Sequence, residues 1–218
     1  MFARSTASAL LAAALALGAP VLTVAGLPAP AFAQAARDAE AEAFVGTEAN
    51  RALAILNQGG DAQQKKAAFR AFIDEVTDVP RITNFVLGKY RRAVTPQQYN
   101  DFAQVFRLYA NSVYESRLGD YHGEKLRVTG SVTRAPGDVV VSTQIVGGQV
   151  STPVEVKWRV IRGADGRYRA VDVSVSGVWL AITEQQDFVS TLDNNRGDIN
   201  VLINQLRSQA SQQYSRRG

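Results

Sequence analysis

A change of periodicity after Gly119 constrains the fold of this chain more than any other feature of its sequence. In the stretch PVEVKWRVIRG, apolar and charged residues alternate from Val154 to Val160. Similar alternating segments, joined by short turns rich in Gly, Pro and Asp, lie at residues 126–132, 139–145 and 171–175. A period of two residues is typical of strands that have one apolar and one polar face. The sequence therefore predicts a four-stranded antiparallel sheet.

Segments with helical spacing precede and follow these strands. The predicted helices before the sheet cover residues 38–57, 61–76, 80–88 and 96–118. The last of these has the clearest start, because Thr95 is a good N-cap, Pro96 suits the first helical position and Gln98 completes a capping box. After the sheet, Thr183 with Gln186 predicts another capping box, and Asp198 predicts the cap of a final helix.

This order of elements predicts an α+β fold, with N-terminal helices, a four-stranded antiparallel sheet and C-terminal helices. Because the sheet has a single apolar face, helices must cover that face. We expect the long helix 96–118, with its row of aromatic residues, to face the apolar side of the strands.

The first 33 residues have the pattern of a cleaved secretory signal peptide. Arg4 precedes a long run of Ala and Leu, and Ala31-Phe32-Ala33 matches the small-x-small cleavage site. An uncleaved anchor is the alternative, but Gly18 and Pro20 interrupt the apolar run. We therefore expect a single domain over residues 34–218. The chain has no cysteine, so burial alone must stabilise that domain in an oxidising compartment.

Composition and motifs argue against several classes of function. The 24 Lys and Arg residues against 20 Asp and Glu are spread along the chain, whereas nucleic-acid binders cluster their basic residues. Cysteine nucleophiles are absent, and so is the G-x-S-x-G motif. The single histidine, His122, lies between Asp120 and Glu124, but one imidazole beside two carboxylates has no recognised metal-ligand spacing. We therefore predict no metal site.

Acidic residues of the strand region also fail to form a predicted active site. Asp138, Glu155 and Asp172 fall at turn or polar-face positions, so strand alternation predicts no ionisable side chain in the interior. We therefore predict no catalytic residue and a protein that is not an enzyme.

The stretch VLGKYRRAVTPQQYNDF, residues 86–102, resembles the MlaC (toluene-tolerance auxiliary) family of periplasmic phospholipid-binding proteins. The resemblance continues through YESRLGDYHGEKL, VEVKWRV, YRAVDVSVSGVWL and ITEQQDFVSTL, and so covers residues 41–206. It implies a soluble carrier without cofactors, which holds the acyl chains of a phospholipid in an apolar pocket between a curved sheet and helices and leaves the headgroup in water. Its implied partners are an inner-membrane ABC transporter complex with a lipid-binding ring and an outer-membrane lipoprotein complex, which together maintain outer-membrane lipid asymmetry.

A second branch of similar proteins accompanies hopanoid genes, so the resemblance leaves the cargo open between a phospholipid and a triterpenoid. If the chain is such a carrier, the apolar residues of the long helix and the strands are the candidate lining. The expected lipid-binding residues are Leu87, Tyr90, Phe102, Phe106, Tyr109, Val113, Val141, Val154, Val156, Trp158, Val171, Val173 and Val175. Arg91 and Arg92 are weaker candidates for contact with a headgroup phosphate or an acidic partner surface.

Two other functions compete with the carrier hypothesis. A small enzyme on a sheet-and-helix scaffold would need an ionisable group that faces the cavity. A secreted adaptor that binds only proteins would have a dry, filled core, and its apolar residues would be ordinary packing.

Overall fold

The computed structural model describes residues 36–58, 61–118 and 122–215, so the predicted signal peptide lies outside the described residues. Helices at both ends of the described chain flank an antiparallel sheet, which confirms the predicted α+β class. The helices before the sheet are α1 (Ala39–Asn57), α2 (Ala62–Val76), α3 (Val79–Val86) and α4 (Pro96–Leu118), with a short 3-10 segment at Gly88–Arg92. The strands are β1 (Glu124–Ala135), β2 (Asp138–Gly147), β3 (Val150–Arg162), β4 (Tyr168–Val175) and β5 (Val178–Trp179). The helices after the sheet are α5 (Leu180–Asn194) and α6 (Ile199–Ser215).

The capping box predicted at Thr95 is confirmed in both directions. The Gln98 backbone N–H donates to Thr95 Oγ1 at 3.2 Å, and the Thr95 backbone N–H donates to Gln98 Oε1 at 2.9 Å. The carboxylates of Asp38 and Asp61 accept backbone N–H groups at the starts of α1 and α2. Local side-chain caps therefore set the starts of these three helices.

The capping box predicted at Thr183 is wrong, because α5 begins three residues earlier at Leu180. Thr183 lies inside the helix, where its hydroxyl donates to the Trp179 carbonyl oxygen at 2.9 Å. The N–H of Ala181 in the first turn donates instead to the Asp172 carboxylate at 2.8 Å. A side chain from a neighbouring strand thus satisfies the start of α5, and no local sequence signal encodes such a partner.

The sheet has its strands in sequence order, β1-β2-β3-β4-β5, and every pair is antiparallel. The prediction missed only β5, whose two residues pair with the end of β4. A bulge interrupts the pairing of β3 with β4, since Arg159 lies opposite Asp172 whereas Val160 lies opposite Ala170. Val171 is the extra residue, so simple alternation does not hold along β4.

Two separate apolar cores hold these elements together. In the first, Ala41 and Val45 of α1 pack against apolar residues of the sheet, which are Val139, Val141, Val160 and Tyr168. In the second, α3, α4, α5 and α6 bury a cluster that includes Phe102, Phe106 and Phe188. The expectation that α4 covers the apolar face of the strands is therefore wrong for the strand residues of the first core. α1 packs against those residues, and α4 packs chiefly against α6. A space remains between the two cores.

Candidate functional site

An apolar cavity of about 240 Å³ lies between the strands and the helices. Its lining comes from α2, α3, α4 and α5 and from the strands β3 and β4. Most of the lining residues are apolar. Concave spaces lined mostly by apolar side chains, with a few polar groups, are typical of ligand sites.

The α4 side of the cavity is a stripe of residues at helical spacing. Phe106, Tyr109, Ala110 and Val113 occupy positions i, i+3, i+4 and i+7 and share one face of the helix. The Phe106 ring also packs within the helical core, with its centroid 6.0 Å from that of Phe188. The α4 wall is therefore attached to a packed aromatic cluster and is held in place by it.

The strand side is formed chiefly by Trp158 of β3 and by residues 170–173 of β4. The Trp158 indole N–H donates to Thr143 Oγ1 at 3.0 Å, and that hydroxyl donates to the Val156 carbonyl oxygen at 2.8 Å. With its polar atom satisfied within the sheet, the indole presents apolar surface to the cavity.

A smaller cavity of about 130 Å³ adjoins the first, towards α1. Five residues line both spaces, and they are Phe69, Ile73, Thr77, Trp158 and Ala170. These residues therefore form the partition between the two apolar spaces.

Two carboxyl groups line the larger cavity, and the sequence prediction of no interior ionisable group is therefore wrong. Asp172 lies next to the bulged residue Val171 of β4, where simple alternation does not hold, and one of its carboxylate oxygens caps α5 as described above. Glu184 of α5 accepts a hydrogen bond from the Tyr109 hydroxyl at 2.9 Å. Burial raises the pKa of both carboxyl groups above their ordinary values.

The raised pKa of Glu184 predicts a pH-dependent effect of Glu184→Gln on stability. The folded protein holds this proton more tightly than the unfolded chain, so the wild type loses stability as pH rises from about 4.5 through the folded pKa. Gln still accepts from Tyr109 but carries no charge. We therefore expect Glu184→Gln to raise the free energy of unfolding at pH 7.5 and to leave it nearly unchanged at pH 4, as measured by urea denaturation.

The control for this measurement is Glu155→Gln. The Glu155 side chain is half exposed and pairs with Lys157 at 3.2 Å, so its replacement should give no gain in stability at pH 7.5. An equal effect of Glu184→Gln at both pH values would contradict the assignment of a desolvated carboxylate to the cavity wall.

The structure brings six of the residues expected to bind lipid together on the cavity wall. Three come from α4 and three from the strands, and they are Phe106, Tyr109, Val113, Trp158, Val171 and Val173. Their contact with a lipid stays a prediction.

The other seven lie elsewhere. Leu87 and Phe102 are fully buried in the helical core, and Val141 is fully buried between α1 and the sheet. Val156 is buried and Val154 half-buried within β3, but neither lines the cavity. Val175 is 40% exposed. Tyr90 packs at the edge of the helical core, and its hydroxyl donates to the Asp193 carboxylate at 2.5 Å.

The basic pair after Tyr90 also lies outside the cavity lining. The Arg91 guanidinium lies over the Tyr99 ring, 4.1 Å from its centroid, and donates to the Asn84 side chain. Arg92 is exposed. Contact of Arg91 or Arg92 with a headgroup phosphate or an acidic partner surface stays a prediction.

Sequence reasoning missed the contributions of α2, α3 and α5 to the cavity. Phe69, Ile73 and Thr77 are four residues apart along α2 and at its end, so helical spacing alone marks them as one face. Leu180 and Glu184 of α5 share this spacing, but an acidic residue among apolar ones gives no local sign that it faces inward.

In the part of the chain that the structure describes, no group of three or more His, Cys, Asp or Glu side chains is arranged to hold a metal ion. A search of the same residues for a helix long and apolar enough to cross a bilayer finds none.

Comparison with known proteins places this architecture in a family. The chain matches the family model described as MlaC protein over residues 47–208, which span most of α1 to α6. A solved structure of a phospholipid-binding protein from Ralstonia solanacearum, in complex with a phospholipid, has the same fold with a TM-score of 0.71. The two sequences are 24% identical, and the match covers 81% of this chain and 99% of that chain. The expected resemblance is thus confirmed, and the chain belongs to the MlaC family.

Proposed function

We propose that this protein is a carrier that holds the acyl chains of a phospholipid in the cavity between its sheet and helices. The observation that carries the proposal is the cavity itself, whose lining is apolar except for Thr77, Asp172, Glu184 and the Tyr109 hydroxyl. The Ralstonia protein, which shares this fold, was solved with a phospholipid, and that supports the same class of cargo here.

The energetics of such a carrier require no chemical step. Burying roughly fifteen methylenes at about 0.8 kcal/mol each is worth on the order of 12 kcal/mol relative to water, which corresponds to an affinity of about 1 nM. A bilayer supplies nearly the same burial, however. The relevant free energy is the difference between cavity and membrane, which is small enough for reversible loading.

Both carboxyl groups of the cavity have structural partners that account for their presence. Asp172 accepts the N–H of Ala181 at the start of α5, and Glu184 accepts the Tyr109 hydroxyl. These roles fit a binding protein, and lipid transfer makes or breaks no covalent bond. We therefore do not assign an enzymatic reaction to the site.

In this proposal the protein acts in the periplasm after removal of residues 1–33. It exchanges lipid with an inner-membrane ABC transporter complex that has a lipid-binding ring and with an outer-membrane lipoprotein complex, and so maintains the lipid asymmetry of the outer membrane. Membership of the MlaC family and the signal-peptide pattern of the sequence support this placement.

The first experiment is mass spectrometry of the protein purified from its native periplasm without detergent, intact and then after organic extraction. We expect stoichiometric phospholipid. Hopanoid in its place would keep the carrier but change the cargo to a triterpenoid. A clean apo mass, together with failure to take lipid from vesicles, would overturn the carrier proposal and favour a protein-binding adaptor.

A further inference from the structure

Three exposed apolar side chains lie beside the cavity, and we name them the apolar rim. They are Val175 at the end of β4, Val178 of β5 and Leu180 at the start of α5, with exposed fractions of 40%, 54% and 38%. Leu180 also lines the larger cavity. The apolar rim therefore connects the cavity lining with the surface of the protein.

The backbone places the three side chains on one side of the sheet. Val175 lies directly opposite Val178 in the antiparallel pair, so the two side chains share a face. That face is the cavity face, because Val173, two residues before Val175, lines the cavity. The backbone of Trp179 is extended, so Leu180 points to the same side as Val178. The apolar rim is thus a continuation of the cavity wall.

The turn between the two valines leaves them uncovered. Only Ser176 and Gly177 connect them, with φ angles of 50° and 88°. Positive φ at both central residues is the pattern of a tight two-residue hairpin turn. A connection of this length is too short to fold back over Val175 and Val178, so the hairpin presents both side chains at its tip.

Charged groups are nearly absent from this part of the sequence. Residues 173–186 contain one charged residue, Glu184, which faces the cavity and accepts the Tyr109 hydroxyl. On the neighbouring strand, Lys157 and Glu155 pair with each other at 3.2 Å. Alternation with Trp158, which lines the cavity, places Lys157 on the opposite face of the sheet. The apolar rim therefore meets the main requirement for contact with hydrocarbon, which excludes charged side chains.

The size of the apolar rim favours a bilayer over a protein as its partner. A stable protein interface buries about 800 Å² on each partner, and three side chains that are 38–54% exposed present much less. Binding to a lipid surface needs no matching shape, and its strength scales with the apolar area that enters the membrane. A small apolar area gives weak, reversible binding, which a carrier that leaves the membrane with its cargo requires.

We propose that the apolar rim inserts shallowly into the surface of a phospholipid bilayer, at the place where an acyl chain passes between the membrane and the cavity. Leu180 belongs to both surfaces, so a chain that moves along it stays in contact with apolar groups. The headgroup stays in water throughout. This inference rests on the proposed function and adds to it the surface by which the carrier contacts a membrane.

The test measures the binding of lipid-loaded protein to phosphatidylcholine vesicles by sedimentation. Protein that already holds lipid is used, so that uptake does not compete with binding. We expect Val178→Glu to lower the vesicle partition coefficient at least about tenfold, because it places a charge in the apolar rim. Val178→Thr keeps the β-branched shape and should lower it in the same direction, which covers the case of a misfolded Glu variant.

The matched control is Ile182→Glu, which adds the same charge in the first turn of α5. Ile182 is 40% exposed and does not line the cavity, and it lies about 200° around the helix from Leu180. We expect this variant to change vesicle binding by less than about twofold. Equal losses in Val178→Glu and Ile182→Glu would overturn the inference, since net charge alone would then explain them.

Salt dependence separates apolar insertion from attraction between charges. Wild-type binding should change by less than about twofold between about 50 and about 500 mM NaCl, because the apolar rim carries no charge. A steep loss of binding with added salt would assign the contact to basic side chains elsewhere and overturn the inference.

Lipid uptake by lipid-free protein distinguishes failure of this inference from failure of the carrier. We expect Val178→Glu to slow uptake from the same vesicles and to reach the same final amount of bound lipid. A wild type that takes up lipid without binding vesicles would overturn the inference alone, whereas a wild type that takes up none would overturn the proposed function. A dimer in sedimentation velocity that Val178→Glu dissociates would assign the apolar rim to a second copy of this chain and also overturn the inference.

Discussion

Replacing Ala110 with Trp is expected to abolish lipid retention while the protein stays folded. Ala110 is half-buried on α4 and lines the cavity beside Phe106 and Tyr109. An indole at this position projects into the cavity of about 240 Å³ and fills space that an acyl chain would need. Because the added volume enters an existing void, the cost of overpacking is smaller than in a filled core.

The matched control for Ala110→Trp is Leu108→Trp on the same helix. Leu108 is 52% exposed and does not line the cavity, so its replacement should leave both lipid content and stability unchanged. Circular dichroism checks the fold, and mass spectrometry after extraction measures the bound lipid. A folded Ala110→Trp protein that copurifies with normal lipid would exclude this cavity as the acyl-chain site.

Replacing Phe188 with Ala is expected to lower the free energy of unfolding by about 3–5 kcal/mol. Phe188 is 3% exposed, and its ring centroid lies 6.1 Å from Phe102, 6.0 Å from Phe106 and 6.5 Å from Tyr109. Its loss removes the centre of an aromatic cluster and leaves a cavity that rigid neighbours cannot close. Denaturant unfolding measures the change.

The control for Phe188→Ala is Phe85→Ala, since Phe85 is 38% exposed and its truncation should cost less than about 1 kcal/mol. A similar loss in the two variants would contradict the central position of Phe188. A substitution at Phe106, such as Phe106→Asp, would change lipid binding and stability together. Phe106 belongs to the aromatic cluster and also lines the cavity. Ala110→Trp tests the cavity through the amount of bound lipid, and Phe188→Ala tests the core through the free energy of unfolding.

Local patterns predicted one capping box correctly and another incorrectly. The capping box of Thr95 and Gln98 depends on residues three apart, and it formed as predicted. The capping box at Thr183 did not form, because Asp172, nine residues before Ala181, supplies the acceptor from a strand. A tertiary partner thus displaced a plausible local one.

Alternation along the strands located part of the cavity wall and failed at the bulge. Trp158 lies on the wall as its parity predicts, and so does Val173. Alternation places Val141 and Val175 on the same face of the sheet as Trp158 and Val173, but neither lines the cavity. Val141 is buried against α1, and Val175 is 40% exposed. Asp172 also lines the cavity although its parity predicts the polar face, and it lies next to the bulged residue Val171, where simple alternation does not hold.

The sequence by itself determined the order and type of the elements, the antiparallel sheet and several helix starts, because these depend on residue spacing within a turn or a strand. Only the tertiary structure decided which apolar faces pack together and where a space remains between them. α1 covers Val139 and Val141, while Phe106 of α4 packs against Phe188. The cavity is the volume left between these two packed cores, and a volume bounded by six separate elements is not encoded in any local pattern of residues.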